Sequence, residues 1–204
     1  MAKTFESSPY TLLCAAVVGL VCATVLTATH QLLAPRLAAN ASARNIRHVL
    51  LALRVPGAET ASPQAAADLF ATRIREERHG ELTVYRYVEG EKLRGVAVGF
   101  SGRGYTAPIE GFLGLEPDLV TLREITVSYH AETPGLGGQV GSRAFLDRFR
   151  GKRIDGLRLV RSAGALADNE VQAITGATIT SGRFQTILDK TSSRIRRLRS
   201  ERTR

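Results

Sequence analysis

The chain has 204 residues, 44% of them hydrophobic, and a formal net charge of +9. That length holds one ordinary domain plus an accessory segment, and the charge raises nucleic acid or an anionic membrane as partner. Nucleic acid is set aside, because the densest basic stretch, at 194–199, closes a helical pattern with no interleaved aromatic side chain for stacking.

No charged residue occurs from Ser7 to Thr29, and the centre of that run, at 12–26, is almost wholly apolar. About 20 such residues cross a bilayer as a helix, so a single membrane span closed by Pro35 is expected. A cleaved signal peptide competes, since small residues follow at 37–41. Against it, the N-terminal region has only Lys3, offset by Glu6, and the apolar run is longer than a signal sequence needs. Arg36, Arg44 and Arg47 follow the span, so charge alone puts the C-terminal part in the cytoplasm. Cys14 and Cys22 both lie in the apolar run, which leaves the folded part with no disulfide framework, thiolate metal site or redox pair. Its lack of cysteine suits an oxidising compartment. His30, His48, His79 and His130 are scattered, without metal-ligand spacing.

Ile46, Val49, Leu50 and Leu53 share one helical face, and Pro56-Gly57 stops that helix. A second helix is predicted from Ser62-Pro63, a cap followed by proline, to about Glu77. From Glu81 the period becomes two, giving strands at 82–88, 93–100, 109–115 and 122–129, with turns at 89–91 and at Glu116-Pro117-Asp118. Four antiparallel strands with flanking helices make an α+β domain rather than a doubly wound α/β one. A glycine loop follows at 132–138, then a short helix at 144–149 ended by Gly151, an edge strand at 157–160 and a loop from Ser162 to Asn169. Phe184, Ile187, Leu188, Ile195 and Leu198 trace one face of a last helix, from Thr180 or Ser181 to about Arg199. The chain thus divides into an N-terminal membrane anchor at 1–35, a helical lead-in at 36–80 and a sheet domain at 81–204.

No catalytic triad, His/Glu pair or dinucleotide loop is present, and the glycine run at 99–104 leads into a strand rather than a helix. The residues thus point away from a classical hydrolase or dehydrogenase. What remains is the glycine loop at 132–138 and the hydroxyl-rich segment at 175–181. Glycines let backbone approach a ligand closely, and a helix start receives phosphate through amides that lack internal partners. Together they suit a flat ligand with a phosphate tail. The alternative is that Gly135 and Gly137 only make a turn and that Thr175 or Thr178 only caps a helix.

Glu132-Thr133-Pro134-Gly135-Leu136-Gly137, followed by Thr175-Gly176-Ala177-Thr178-Ile179-Thr180, resembles the FMN-binding domain family. That family includes the G subunit of the Rnf complex and the C subunit of the Na+-translocating NADH:quinone reductase. Gly104-Tyr105, the 111–115 strand and the Phe149-Arg150-Gly151-Lys152 step fit it too. The resemblance implies an antiparallel-sheet FMN-binding domain behind a single N-terminal transmembrane helix. It implies FMN joined by a phosphoester to Thr178, with Glu132, Thr133, Gly135, Leu136, Gly137, Thr175, Gly176 and Ala177 around the cofactor. It further implies a membrane-bound electron-transfer subunit of an ion-translocating oxidoreductase, with other redox subunits as partners. A flavin transferase would load it outside the cytoplasm from FAD, against the charge-based orientation. The length suits the Rnf type and Gly137-Gly138 the quinone-reductase type.

The family pattern places aspartate three residues before Thr175, where this chain has Gln172. That departure keeps a second reading open, an extracytoplasmic sensing or assembly module of the same fold with non-covalent or no flavin. A third is a basic membrane-surface protein acting through its arginine-rich last helix.

Overall fold

The computed structural model describes residues 9–80, 82–161 and 164–202. Lys3, Glu6, Ser7, the predicted strand start at Glu81 and the predicted loop start at Ser162 lie outside the described residues. Two compact units divide between Ser42 and Ala43.

Helix α1 runs from Pro9 to Ala52 with Pro35 inside it. The predicted break at Pro35 is absent, so the span and the following amphipathic helix are one element. A proline inside a helix removes one backbone hydrogen bond, and the leucines and alanines on both sides of Pro35 are strong helix formers. The most apolar 18-residue window of α1 has a mean hydropathy of 2.3 and is 0% buried, so it is long and apolar enough to cross a membrane and is not a core helix. The helix ends in a reverse turn at Arg54, φ 50°. There the Arg54 amide donates to the Leu51 carbonyl at 2.9 Å and the Val55 amide to the Leu50 carbonyl at 3.0 Å. This pattern satisfies the last carbonyls with a left-handed residue that is usually glycine.

In the second unit, Ser62 caps α2 (Pro63–Arg73) by accepting from the Ala65 amide at 3.2 Å. The helix stops at Arg73, earlier than predicted, because Ile74–His79 is strand β1. The sheet therefore has five strands rather than four, in the order β1-β2-β3-β4-β5. The others are β2 (Leu82–Glu89), β3 (Lys92–Arg103), β4 (Pro108–Leu115) and β5 (Leu122–Tyr129), each antiparallel to its neighbour. β1 was missed because its sequence, IREERH, is nearly all charged, and register with β2 rather than an apolar alternation makes it a strand.

Both faces of the sheet are covered. Ala97 and Phe112 face Val49, Leu50, Leu53 and Ala66 from α1 and α2. Gly114 allows the close approach of α1, because a Cβ there would overlap the Ala52 backbone. On the other face Val98, Phe100, Ile109, Leu113 and Ile125 meet α4 (Thr178–Arg202) through Phe184, Ile187, Leu188 and Ile195. Phe184 lies 6.0 Å from both Phe100 and Phe145 and 5.9 Å from Phe149, ring centre to ring centre.

The predicted helix at 144–149 is a short helix α3 (Arg143–Leu146) that tightens into a 3₁₀ turn, Asp147–Phe149. The predicted edge strand is β6 (Arg158–Val160), which pairs in parallel with β7 (Glu170–Gln172) in a small sheet of its own. The last helix begins at Thr178, slightly before the predicted start.

Candidate functional site

The loop after β5 folds on itself. The Thr133 carbonyl accepts from the amides of Leu136 at 3.2 Å and Gly138 at 2.9 Å. Gly135 takes φ +76°, in the left-handed region that favours glycine.

The segment before α4 makes a second tight turn. The Ala177 amide donates to the Ile174 carbonyl at 3.2 Å, and Gly176 turns the chain at φ +78°. The buried Ser181 hydroxyl reaches back to accept from the Ile174 amide at 3.1 Å. This lock leaves Thr178 exposed as the first residue of a 25-residue helix. The opening amides of a helix have no intrahelical acceptor and carry its positive dipole end, so an anionic group is stabilised there.

The two turns meet. Leu136 Cδ2 lies 3.3 Å from the point where a Cβ on Gly176 would stand. Between them is a cavity of about 340 Å³ lined by Glu132, Thr133, Leu136 and Gly137 from the first loop, by Gly176, Ala177, Thr178, Ile179 and Thr180 from the second, and by Tyr105. Of the residues expected from the sequence, Gly135 and Thr175 flank this cavity without lining it. Ile179 and Thr180 of the hydroxyl-rich segment line it beside the residues expected around the cofactor, and Tyr105 lines it from outside both candidate segments. Gly104-Tyr105 was visible in the sequence as a turn, but nothing in the pattern joins it to Glu132. A larger cavity of about 570 Å³ lies near the end of α4, among Arg78, Arg194 and Arg197, and contains none of the expected residues.

Glu132 holds the site together. Although 4% exposed, its carboxylate accepts from the amides of Tyr105 at 2.8 Å and Thr106 at 3.0 Å through Oε1. Oε2 accepts from the Thr180 hydroxyl at 2.6 Å. Burial pushes the carboxyl pKa up, but the Thr180 hydroxyl and the amides of Thr106, Tyr105 and Ala107 together outweigh it and hold the group below the usual glutamate value. Glycines make the room. A Cβ on Gly137 would stand 2.5 Å from Thr180 Oγ1 and 2.9 Å from Glu132 Oε2, and one on Gly104 would stand 2.6 Å from Glu132 Oε1.

Around this polar brace the rim is apolar and open, with Tyr105 63%, Leu136 49% and Ile179 54% exposed. An accessible hydroxyl at a helix start beside an exposed apolar wall fits a ligand with a flat ring and a phosphate.

Residues 104–192 match the FMN-binding domain family. The chain is 31% identical over 130 residues to the C subunit of the Na(+)-translocating NADH-quinone reductase of Pasteurella multocida, a match covering 61% of this chain and 49% of that protein. It is 32% identical over 103 residues to the G subunit of the proton-translocating ferredoxin:NAD(+) oxidoreductase complex of Clostridium ljungdahlii, covering 50% of this chain and 54% of that protein. The chain therefore spans about half the length of these relatives. The crystal structure of Shewanella oneidensis NqrC superposes with a TM-score of 0.60 at 23% identity, covering 70% of this chain and 87% of that one. The two share the fold.

Proposed function

We propose, from the match of residues 104–192 to the FMN-binding domain family, that the chain is a membrane-anchored flavoprotein subunit that passes electrons within an ion-translocating oxidoreductase complex. FMN is its cofactor, and the complex is of the Rnf or the NADH:quinone reductase kind. Residues 1–35 serve as the anchor, and a helical lead-in carries the chain to the flavin domain, whose sheet opens with β1 at Ile74–His79 and which is held on the extracytoplasmic side. The observation that carries this reading is the exposed Thr178 hydroxyl at the start of α4, inside the family-matched segment and opening onto the cavity.

Bound FMN supplies one- and two-electron redox chemistry, and the protein's part is to hold and orient it. Thr178 would be the attachment residue, its hydroxyl oxygen taking the place of AMP on the FMN phosphorus of FAD in a reaction carried out by a flavin transferase. Thr175, Gly176 and Ala177 shape the turn that presents Thr178. The opening amides of α4 would stabilise the phosphate charge, while Glu132, Thr133, Leu136 and Gly137, in the loop turned by Gly135, form the facing wall. Other redox subunits are the partners in electron transfer.

When the chain is produced with a flavin transferase, denaturing electrophoresis is expected to show a band fluorescent under ultraviolet light. Thr178→Ala is expected to abolish it. A dark wild-type band, with no flavin retained on native purification, refutes the proposal. Gln172, in place of the family's aspartate, supports a second reading in which the fold serves a sensing or assembly role with non-covalent or no flavin. Flavin attachment only after Gln172→Asp favours that reading.

A further inference from the structure

Tyr105 combines a fixed main chain with a largely free side chain. Its amide is held at 2.8 Å by Glu132, and the Gly104 amide closes the turn on the Ala107 carbonyl at 3.0 Å. The ring nevertheless stands 63% exposed on the cavity that contains Thr178. Aromatic side chains bring large apolar area and prefer a flat or edge-on partner. Leu136 and Ile179 extend the same apolar rim.

One carboxylate sets both ends of this arrangement. Oε1 of Glu132 takes the Tyr105 and Thr106 amides, and Oε2 takes the Thr180 hydroxyl in the helical turn that begins with Thr178. The aromatic wall and the phosphate attachment point are therefore fixed relative to each other through a single buried side chain. Both Glu132 oxygens are engaged in this brace.

We propose that Tyr105 is the aromatic residue that packs against the isoalloxazine ring, and that Glu132 is a positioning residue that acts on the flavin by holding Tyr105 and Thr180. This rests on the reading of Thr178 as the FMN attachment residue.

Tyrosine in contact with a flavin quenches its emission by donating an electron to the excited ring, and phenylalanine does not. The test is time-resolved flavin fluorescence of the full chain, loaded with FMN by a flavin transferase and normalised to bound flavin by absorbance. Tyr105→Phe keeps the packing area and is expected to lengthen the main lifetime of the bound flavin several-fold. Thr180→Ser, which keeps the hydroxyl, is expected to retain the short wild-type lifetime, whereas Thr180→Val is expected to spread it towards longer values. A loaded Tyr105→Phe protein with the wild-type lifetime overturns the ring contact. A loaded Thr180→Val protein with the wild-type lifetime overturns the positioning role. A wild-type chain that takes up no flavin overturns the flavoprotein reading itself, and this inference with it.

Discussion

Two buried carboxylates in this protein are held in opposite ways. Glu124, 5% exposed on β5, accepts from the Arg150 guanidinium at 2.7 Å, with Arg54 at 4.0 Å. Glu132, 4% exposed just beyond the same strand, accepts only neutral donors, and among the described residues no ion pair includes it. Arg150 is itself 38% exposed and also bonds Asp147 at 2.8 Å, so it can turn to water or to Asp147. The Thr180 hydroxyl beside Glu132, on a residue 4% exposed, has no such alternative. An arginine partner neutralises a buried charge, while fixed neutral donors orient it. The first arrangement serves packing. The second fixes the wall of the candidate cavity.

The sharpest way to break the comparison is to remove each carboxylate. Glu132→Ala strands the buried Thr180 hydroxyl and removes the charge-assisted acceptor of two part-buried amides, and we expect a loss of about 3 kcal/mol in chemical denaturation. Glu124→Ala leaves a half-solvated guanidinium and should cost about 1–2 kcal/mol. Equal losses would refute the distinction. Next in size is Gly137→Ala, whose Cβ would crowd Thr180 Oγ1 and Glu132 Oε2, at about 2–3 kcal/mol.

Acid sharpens the same contrast. Because the folded Glu132 carboxyl lies below its usual value, its contribution is fully present above the ordinary glutamate range and is lost as pH falls through that lower folded value. The stability gap between wild type and Glu132→Gln, followed by urea unfolding at descending pH, should therefore narrow in acid. A gap independent of pH would show that folding does not shift the carboxyl pKa, and a gap that widens in acid would show that the folded carboxyl is protonated. The smallest expected effect has the opposite sign. Arg54 closes α1 at φ 50°, and Arg54→Gly removes the strain of that conformation for about 0.5–1 kcal/mol of stabilisation, less whatever its distant pairing with Glu124 contributes. Thermal unfolding measures the net shift.

The sequence carried these features unevenly. The two turns of the site were legible because glycine at a left-handed position and hydroxyls at a helix start are local signals, as Gly135, Gly176 and Thr178 illustrate. The apolar face of α4 was legible for the same reason, since Phe184, Ile187, Leu188 and Ile195 repeat at helical spacing. The brace was not. Glu132 meets Tyr105 and Thr180 across 27 and 48 residues of chain, and nothing local to any of the three specifies the meeting. Strand β1 was hidden because pairing, not side-chain pattern, makes it a strand. Pro35 misled in the other direction, as one lost hydrogen bond does not interrupt a helix whose neighbours strongly favour it.

The composition of β1 has a consequence of its own. As the first strand in the order, β1 leaves one side of its backbone unpaired by the sheet, and such an edge is a template for pairing with another chain. Here the edge carries Arg75, Glu76, Glu77 and Arg78 in succession. A second copy aligning along it, in register if parallel or centred if antiparallel, would set Arg opposite Arg and Glu opposite Glu and strip water from them. The least strand-like sequence in the sheet thus acts as a guard against aggregation at its open border.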